Sequence, residues 1–393
     1  MFSLEKFYPL LYDNLLYSAN VKSYFYFYPF GSTSPNNFCI YGRRAENDYF
    51  NKVMFFDQEP LLELTIKNWT LDPSYQVSYF LNGKNKNNVI FANSEISEFK
   101  NNFCKEYEFY DWYYFFHGFA ALDWYRDFKY LKPNFEFNFT KVFISLNNII
   151  TKYRSYRITL MSKFIEHDLL KNSIVSFSPE FGRKTIKDEI FDPYSFLSKS
   201  AKQLIAKNIK KLSLKYTVDH FNICGEFSAK LDIKLQQSAL WNVVTETIFY
   251  HDKLHLTEKI FKPIVSCQPF ILVGAVNNLQ YLKSYGFKTF DRWIDESYDS
   301  EKDPDKRIDM ISNELKKLNS LTMSELKRMQ IEMREVLEHN FYHFYGDFKK
   351  IIISEMVDNF HNCVCIASNG QWGEERFIRD KIDYDAVKKL LMS

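Results

Sequence analysis

Hydrophobic residues along the chain gather in short runs that end at polar turns, a pattern typical of buried strands in a parallel sheet. The runs that predict strands are Val21–Pro29, Lys52–Phe56, Asn88–Ala92, Val142–Ser145, Ile174–Ser178, Asn242–Phe249, Pro269–Val273 and Phe287–Phe290. Apolar residues at helical spacing and helix-start signals predict helices at 149–170, 196–215, 257–267, 278–285 and 346–360, with two more beginning at Asp303-Pro304 and at Thr322. Because strands alternate with helices, the sequence predicts an α/β protein built from βαβ units.

The same pattern suggests how the chain divides. An aromatic-rich stretch at 106–130, which we expect to pack in a core, is broken by Leu131-Lys132-Pro133-Asn134. The predicted divisions are a first domain at 1–138, a second at 139–345, and C-terminal helices at 346–393 that pack across both. The order of strands, loop, glycine and helices in 241–298 is that of half a Rossmann-like nucleotide-binding domain.

Composition narrows the class of protein. The chain has 393 residues, 46% hydrophobic and 25% charged, which excludes wholesale disorder. Its net charge of +2 argues against binding nucleic acid by bulk charge, although it leaves room for a local basic patch. Six scattered cysteines without a zinc-binding pattern favour reduced thiols. Glu5 and Asp13 interrupt the apolar start, and no uncharged apolar run reaches about 18 residues, so we expect a cytoplasmic protein without a transmembrane segment.

The most informative motif is Thr257-Glu258-Lys259, followed one turn later by Lys262. A helix beginning at Thr257 would direct free backbone N–H groups toward a phosphate, and the two lysines would add positive charge. Glu258 could accept hydrogen bonds from a ribose diol, as acidic residues do in dinucleotide-binding folds. The alternative is that Glu258 and Lys262 form a surface ion pair on an ordinary helix.

A set of longer matches surrounds this motif, at Val243–Thr247, Leu256–Lys259, Lys262–Ile264, Pro269–Gly274, Gly286–Phe290 and Asp295–Asp299. Together they resemble a family of phage and bacterial glycosyltransferases, and the C-terminal half also resembles the α1,3-fucosyltransferase superfamily. The resemblance implies a GT-B fold, in which two Rossmann-like domains face a cleft. It also implies that Glu258 contacts the ribose of a nucleotide-sugar donor and that Lys259 contacts its diphosphate.

A second match lies in Phe143–Asn148 and Tyr153–Arg157. In the family that it resembles, an arginine on the first helix after this strand reaches the donor diphosphate, for which a guanidinium is well suited. Arg157 is the first candidate and Arg154 the second, and the alternative is a solvated helix face. Glu246, near the end of its predicted strand, would contact the sugar or be solvated.

The first domain should supply the group that takes the proton of the acceptor hydroxyl. Asp57, Glu59 and His117 are the catalytic candidates, and Asp123 is a fourth. For each of the three carboxylates the alternative is a loop residue that caps a helix, and for His117 it is a histidine satisfied by its surroundings.

These observations predict a glycosyltransferase that moves a sugar from a nucleotide-sugar donor to a hydroxyl acceptor on a surface glycan. The resemblance implies inversion at the sugar and no need for a metal or cofactor, and the choice between UDP- and GDP-sugars stays open. One alternative is a phage enzyme that modifies hydroxymethylated DNA, and another is a non-catalytic nucleotide- or glycan-binding protein. The lysine-rich stretch 199–216 is either a solvated helix face or a contact with DNA or anionic lipid, which leaves peripheral membrane contact open.

Overall fold

The computed structural model describes residues 3–11, 14–15, 23–26, 53–57, 89–147, 149–181, 184–218, 229–369 and 382–392, with backbone only for 23–26 and 53–57. The chain forms two compact units. The first combines Met1–Arg126 with Gly346–Ser393, and the second is Asp127–Tyr345. The N-terminal boundary between the two units falls after Arg126, whereas the boundary predicted from the sequence falls after residue 138.

Four described strands form a parallel sheet in the first unit. They are β1 (Ser23–Tyr26), β2 (Val53–Asp57), β3 (Val89–Asn93) and β4 (Tyr110–Tyr113), paired in chain order. At the carboxyl edge Asp57 lies beside Asn93, which lies beside Tyr113. The first three strands confirm predictions, whereas β4 was hidden within the aromatic-rich stretch.

The described residues of the N-terminal part of this unit form three α-helices, α1 (Leu4–Leu11), α2 (Glu98–Glu106) and α3 (Phe116–Trp124). Ser97 begins α2, because its hydroxyl accepts a hydrogen bond from the Lys100 amide at 3.0 Å. Most of α3 is buried, which agrees with the expectation that the aromatic-rich stretch packs in a core.

The second unit also contains a parallel sheet with helices between its strands, an arrangement compatible with a Rossmann-like fold. Its strands are β5 (Lys141–Leu146), β6 (Ser173–Ser176), the short antiparallel pair β7 (Glu180–Phe181) and β8 (Lys184–Thr185), β9 (Ala239–Thr245) and β10 (Phe270–Val273). The order across the main sheet is β10-β9-β5-β6. The chain therefore leaves β5 toward one side of the sheet and β9 toward the other, which creates a topological switch point between these two strands.

Nine described helices complete this unit: α4 (Tyr156–Glu166), α5 (Ile186–Phe191), α6 (Lys199–Leu212), α7 (Ile233–Gln236), α8 (Phe261–Val265), α9 (Asn278–Ser284), α10 (Pro304–Asn319), α11 (Met323–Glu332) and α12 (Arg334–Tyr345). Helix α4 packs against α6 and α10, while α8 packs against α12. Asp303 caps α10, and Thr322 with Glu325 forms a capping box on α11, as their sequences predict.

Of the strands predicted in the second unit, one was wrong in part and another was wrong. The strand predicted at 242–249 ends at Thr245. The strand predicted at 287–290 is irregular, because side chains take the place of a neighbouring strand. The Lys288 amide donates to Oδ1 of Asn340 at 2.8 Å, and the Phe290 amide donates to Oε1 of Glu296 at 2.7 Å. Short apolar runs therefore mark burial here, and not sheet pairing.

The helix predicted at 257–267 is shorter than expected. A 3₁₀ turn at Glu258–Ile260 leads into the five-residue α8, which ends at Val265, and Cys267 follows with a positive φ of 54°. The Gln268 amide closes the turn by donating to the Pro263 carbonyl at 2.9 Å.

The chain returns to the first unit through α13 (Asp347–Asn369) and α14 (Tyr384–Met392). Helix α13 packs against β4, α3 and α14. The indole N–H of Trp112 in β4 donates to the Met356 carbonyl at 3.0 Å. That these helices pack across both domains stays a prediction. Within the described residues, no helix combines the length and apolar character needed to cross a bilayer.

Gly286 provides a stability test, because it follows α9 with a positive φ of 91° and a Cβ there would lie 2.8 Å from Nε2 of His343. We expect Gly286→Ala to lower the free energy of unfolding by about 1–3 kcal/mol in urea denaturation. Gly274→Ala is the control, since its Cβ would meet its nearest atoms at an ordinary 3.6 Å. Equal unfolding midpoints for the two variants would contradict the assigned backbone strain.

Candidate functional site

A cavity of about 330 Å³ opens at the carboxyl edge of the second sheet. Leu146 and Asn147 line it from the end of β5, and 242–245 line it from β9. It therefore lies at the switch point, where connections that leave two neighbouring strands in opposite directions create a crevice. The far wall is formed by Ser176–Ser178 after β6 and by Lys215–Val218 after α6.

Polar side chains tie the strand ends together at the base of this cavity. The Thr245 hydroxyl donates to Oδ1 of Asn147 at 2.7 Å, and Nδ2 of Asn147 donates to the Ser145 hydroxyl at 3.1 Å. The backbone N–H of Asn147 donates to the Ser176 carbonyl at 3.0 Å. Asn147 thus joins three adjacent strands, which fixes the geometry of the cavity floor.

Positive charge dominates the lining of the cavity. Its described basic residues are Arg154, Arg157, Lys215, Lys230, Lys259 and Lys262, and its described acidic residues are Asp232 and Glu258. A concave surface with this excess of cations attracts anionic ligands. Arg157 and Glu258, far apart in the sequence, line the same cavity, as do Arg154, Lys259 and Lys262.

Arg157 is buried and uses its guanidinium to hold the strand ends. Nη1 donates to the Ile149 carbonyl at 2.8 Å, while Nη2 donates to the carbonyls of Thr245 and Glu246 at 2.9 and 3.1 Å. These bonds connect the segments that leave β5 and β9. Most of the guanidinium donors are thus directed at backbone oxygens, and Arg157 shapes the cavity more than it offers hydrogen bonds to a ligand.

Arg154 is the arginine whose donors are better placed for a ligand. It lies in a 3₁₀ turn, Lys152–Arg154, and its guanidinium stands 4.6 Å from the ring centroid of Tyr153. No ion pair to Arg154 is found among the described residues. The second candidate in the sequence is therefore better suited to bind an anion directly.

The turn that carries Arg154 is held by Glu189, a residue that the sequence did not single out. Oε1 of buried Glu189 accepts a hydrogen bond from the Lys152 amide at 2.9 Å, and Lys152 has a positive φ of 56°. Burial raises the pKa of Glu189, while the bond from Lys152 and the charge of Lys184 oppose that rise. No sequence pattern links residues 37 positions apart in this way.

Glu246 anchors the next loop from behind the cavity. Its carboxylate is fully buried and accepts hydrogen bonds from the Thr257 hydroxyl and from the Thr257 amide, the latter at 3.3 Å. Burial raises its pKa, whereas Lys259 and the Thr257 hydroxyl lower it. Among the described residues, neither Glu246 nor Thr257 belongs to the cavity lining. The structure gives Glu246 the role of holding Thr257, and its contact with a sugar stays a prediction.

Glu258 and Lys259 form an ion pair in the cavity lining. Nζ of Lys259 lies 3.1 Å from Oε1 of Glu258 and 3.0 Å from the Thr257 hydroxyl. Glu258 is buried, whereas the Lys259 side chain is 32% exposed, so the ammonium can reach a ligand. The alternative, a surface ion pair of Glu258 with Lys262, does not account for the burial of Glu258.

Lys262 completes the cationic cluster. Desolvation lowers its pKa to about 8, with Lys259 acting in the same direction and Glu258 opposing. An anion in the cavity would stabilise the charged form of Lys262. The short α8 has few aligned peptide dipoles, so these side chains, and not the helix start that the sequence emphasised, supply most of the positive potential.

The catalytic candidates of the first unit have different surroundings. Asp57 ends β2, Glu59 lies outside the described residues, and His117 is buried in α3. Asp123 accepts hydrogen bonds from Arg126 at 2.6 Å and from the Leu4 amide at the start of α1 at 3.3 Å. It therefore caps a helix, as its alternative interpretation proposed.

Several charged side chains are buried near the carboxyl end of β3, and the sequence did not indicate them either. Lys100 forms an ion pair with Asp111 at 2.7 Å and donates to the Asn93 carbonyl at 3.2 Å. Glu95, also buried, accepts a hydrogen bond from the Ser97 hydroxyl. No local sequence pattern around Asn93-Ser94-Glu95 indicates this burial.

Comparison of the chain with protein-family models, with curated proteins and with solved structures returned no match. Within the described ranges, no group of three or more His, Cys, Asp or Glu residues is placed to hold a metal ion. The interpretation of the cavity therefore depends on its own geometry and charge.

The two arginines should differ in their effects on folding. We expect Arg157→Gln to lower the free energy of unfolding by about 2–3 kcal/mol, because buried backbone carbonyls lose their donor. Arg154→Gln, the matched control, should change it by no more than about 0.5 kcal/mol. Urea unfolding followed by circular dichroism measures both, and an equal loss of stability would contradict the separation of roles.

Proposed function

We propose that the cavity of the second unit binds the nucleoside diphosphate part of a nucleotide-sugar and that the chain is a glycosyltransferase. The observation that carries this proposal is the meeting of Arg154, Lys259 and Lys262 with the buried Glu258 at the switch point. Switch points of parallel sheets are the usual place for nucleotides in α/β proteins. Clustered cations next to a carboxylate match a ligand in which a diphosphate adjoins a ribose diol.

The cationic cluster would act on the departing diphosphate. As the bond from the sugar to the diphosphate breaks, negative charge grows on the leaving group. Cations held in place before the reaction stabilise that charge more than they stabilise the bound donor, which lowers the barrier. In this proposal Lys259 and Arg154 meet the diphosphate, Lys262 supplies further charge, and no bound metal is required for the leaving group.

Glu258 would orient the donor. Its carboxylate lies in the lining of the cavity beside Lys259, and a carboxylate can accept hydrogen bonds from both hydroxyls of a ribose. This contact does not distinguish uridine from guanosine, so both UDP- and GDP-sugars fit the proposal.

The remaining parts of the reaction are assigned to the first unit. An inverting transfer needs a group that takes the proton of the acceptor hydroxyl as that oxygen attacks the sugar. Asp57, Glu59 and His117 remain the candidates, and a GT-B arrangement that brings one of them to the donor is part of the proposal. A surface glycan is the proposed acceptor, and hydroxymethylated DNA is the alternative.

A nucleotide panel tests the proposal. The full chain is incubated with UDP, GDP, CMP and their sugars, and thermal stabilisation and nucleotide release are measured. We expect the protein to bind one of the nucleoside diphosphates. Lys259→Ala should lower the affinity for that diphosphate about 10- to 100-fold, because a charge-assisted hydrogen bond is lost. Lys316→Ala, an exposed change on α10, is the control. Stabilisation without release in the presence of varied acceptors would favour a non-catalytic binding protein, and no stabilisation by any nucleotide would contradict the proposal.

The lowered pKa of Lys262 gives the binding a pH dependence. Below pH 8 the ammonium is charged in the free protein and affinity should be constant, whereas above pH 8 binding must take up a proton. Affinity for the diphosphate should then fall by up to about tenfold per pH unit. Calorimetry from pH 7 to 9.5 in two buffers measures the affinity and the proton uptake.

Lys262→Met provides the comparison for this experiment. It should bind more weakly at pH 7 and lose the decline above pH 8. A wild-type affinity that stays constant up to pH 9.5 would contradict the role of Lys262.

A further inference from the structure

One segment of the second unit exposes large apolar side chains that do not line the proposed site. Phe191 at the end of α5 is 81% exposed, Tyr194 is 63% exposed, and Leu214 after α6 is 57% exposed. Phe191 is the most exposed large hydrophobic residue in the described part of the chain. Single exposed apolar side chains are common on protein surfaces, so the case for a binding surface depends on what accompanies these three.

The backbone that carries these rings is anchored. Phe196, just after Tyr194, stacks on Tyr250 with ring centroids 5.3 Å apart, and Leu197 is buried. Nζ of Lys202 donates to the Asp192 carbonyl at 3.2 Å, which joins the end of α5 to the first turn of α6. The neighbours of Phe191 and Tyr194 are thus packed, while these two rings project into solvent.

The same segment is strongly basic. From Lys184 to Tyr216 the sequence contains eight lysines and three acidic residues, and all three acidic residues precede Pro193. Helix α6 packs against α4, with Ala201, Ile205 and Leu212 buried. Its exposed lysines are Lys199, Lys207, Lys210 and Lys211, and Lys215 follows. Lys207 is paired with Glu166 at 3.1 Å, but no ion pair to Lys199, Lys210, Lys211 or Lys215 is found among the described residues.

We propose that this surface, made of Phe191, Tyr194, Leu214 and the exposed lysines of 199–215, docks on a bilayer that contains anionic phospholipid. Lysines near such a bilayer are attracted to its negative surface, and aromatic rings insert at the level of the headgroups. Double-stranded DNA would use the lysines but would give the exposed apolar side chains no apolar phase to enter. The combination of charge and exposed rings therefore favours a lipid surface.

Docking there would bring the candidate site close to the membrane. Lys215 belongs both to this surface and to the cavity lining, and α5, which carries Phe191, also carries the Glu189 that holds the turn of Arg154. A membrane-bound substrate could then reach the edge of the cavity. The docking itself does not depend on the proposed function, because it is measured without nucleotide.

Vesicle flotation of the full chain tests the proposal. Vesicles of phosphatidylcholine alone are compared with vesicles that contain 30% phosphatidylglycerol, at low and high salt. We expect flotation only with the anionic vesicles and weaker flotation at high salt. Lys210→Glu with Lys211→Glu should weaken binding about tenfold or more, and Phe191→Ser with Tyr194→Ser should also weaken it. Tyr342→Ser, which removes a ring that is 61% exposed on α12, is the control and should bind as the wild type does.

Folding of each variant is checked by thermal unfolding. Loss of flotation in the two double variants but not in the control supports the proposal. Absence of flotation with anionic vesicles overturns it. Flotation that the loss of both rings leaves unchanged also overturns it, and tight binding to double-stranded DNA by that variant would assign the surface to nucleic acid.

Discussion

The joining of the carboxyl ends of β5 and β9 is the constraint on which the second unit depends. At this point the order of the sheet reverses, and the two connections leave a gap that backbone hydrogen bonds cannot close. The Arg157 guanidinium spans the gap by donating to carbonyls on both sides, and Asn147 joins the strand ends below it. The cavity exists because side chains hold these strand ends in place.

The charged side chains that are costly to bury lie around that gap. Glu246 and Glu258 are buried carboxylates, and desolvation lowers the pKa of Lys262 to about 8. Such groups are expensive to bury unless they are paired or serve a ligand. Glu246 is compensated by Thr257 and Glu258 by Lys259, and an anion in the cavity would stabilise the cations further. This arrangement is the physical basis for proposing an anionic ligand.

The sequence predicted the parallel α/β architecture because buried strands, helix caps and turn glycines each have local patterns. The motif after Thr257 pointed to Glu258, Lys259 and Lys262, and the family resemblance added Arg154 and Arg157; the fold places all five around one cavity. The sequence could not assign Arg157 to backbone carbonyls, because spacing shows which face a side chain occupies but not its hydrogen-bond partner. Glu189 could not be found for the same reason, and the run at 287–290 resembled a strand although its amides bond to Asn340 and Glu296.

A structure of the full chain crystallised with UDP or GDP tests the central claim most directly. The account predicts that the diphosphate lies in the switch-point cavity, within hydrogen-bond distance of Arg154 and Lys259, while Arg157 keeps its bonds to the strand-end carbonyls. A nucleotide bound elsewhere, or an empty cavity at saturating concentrations of both nucleotides, would contradict it.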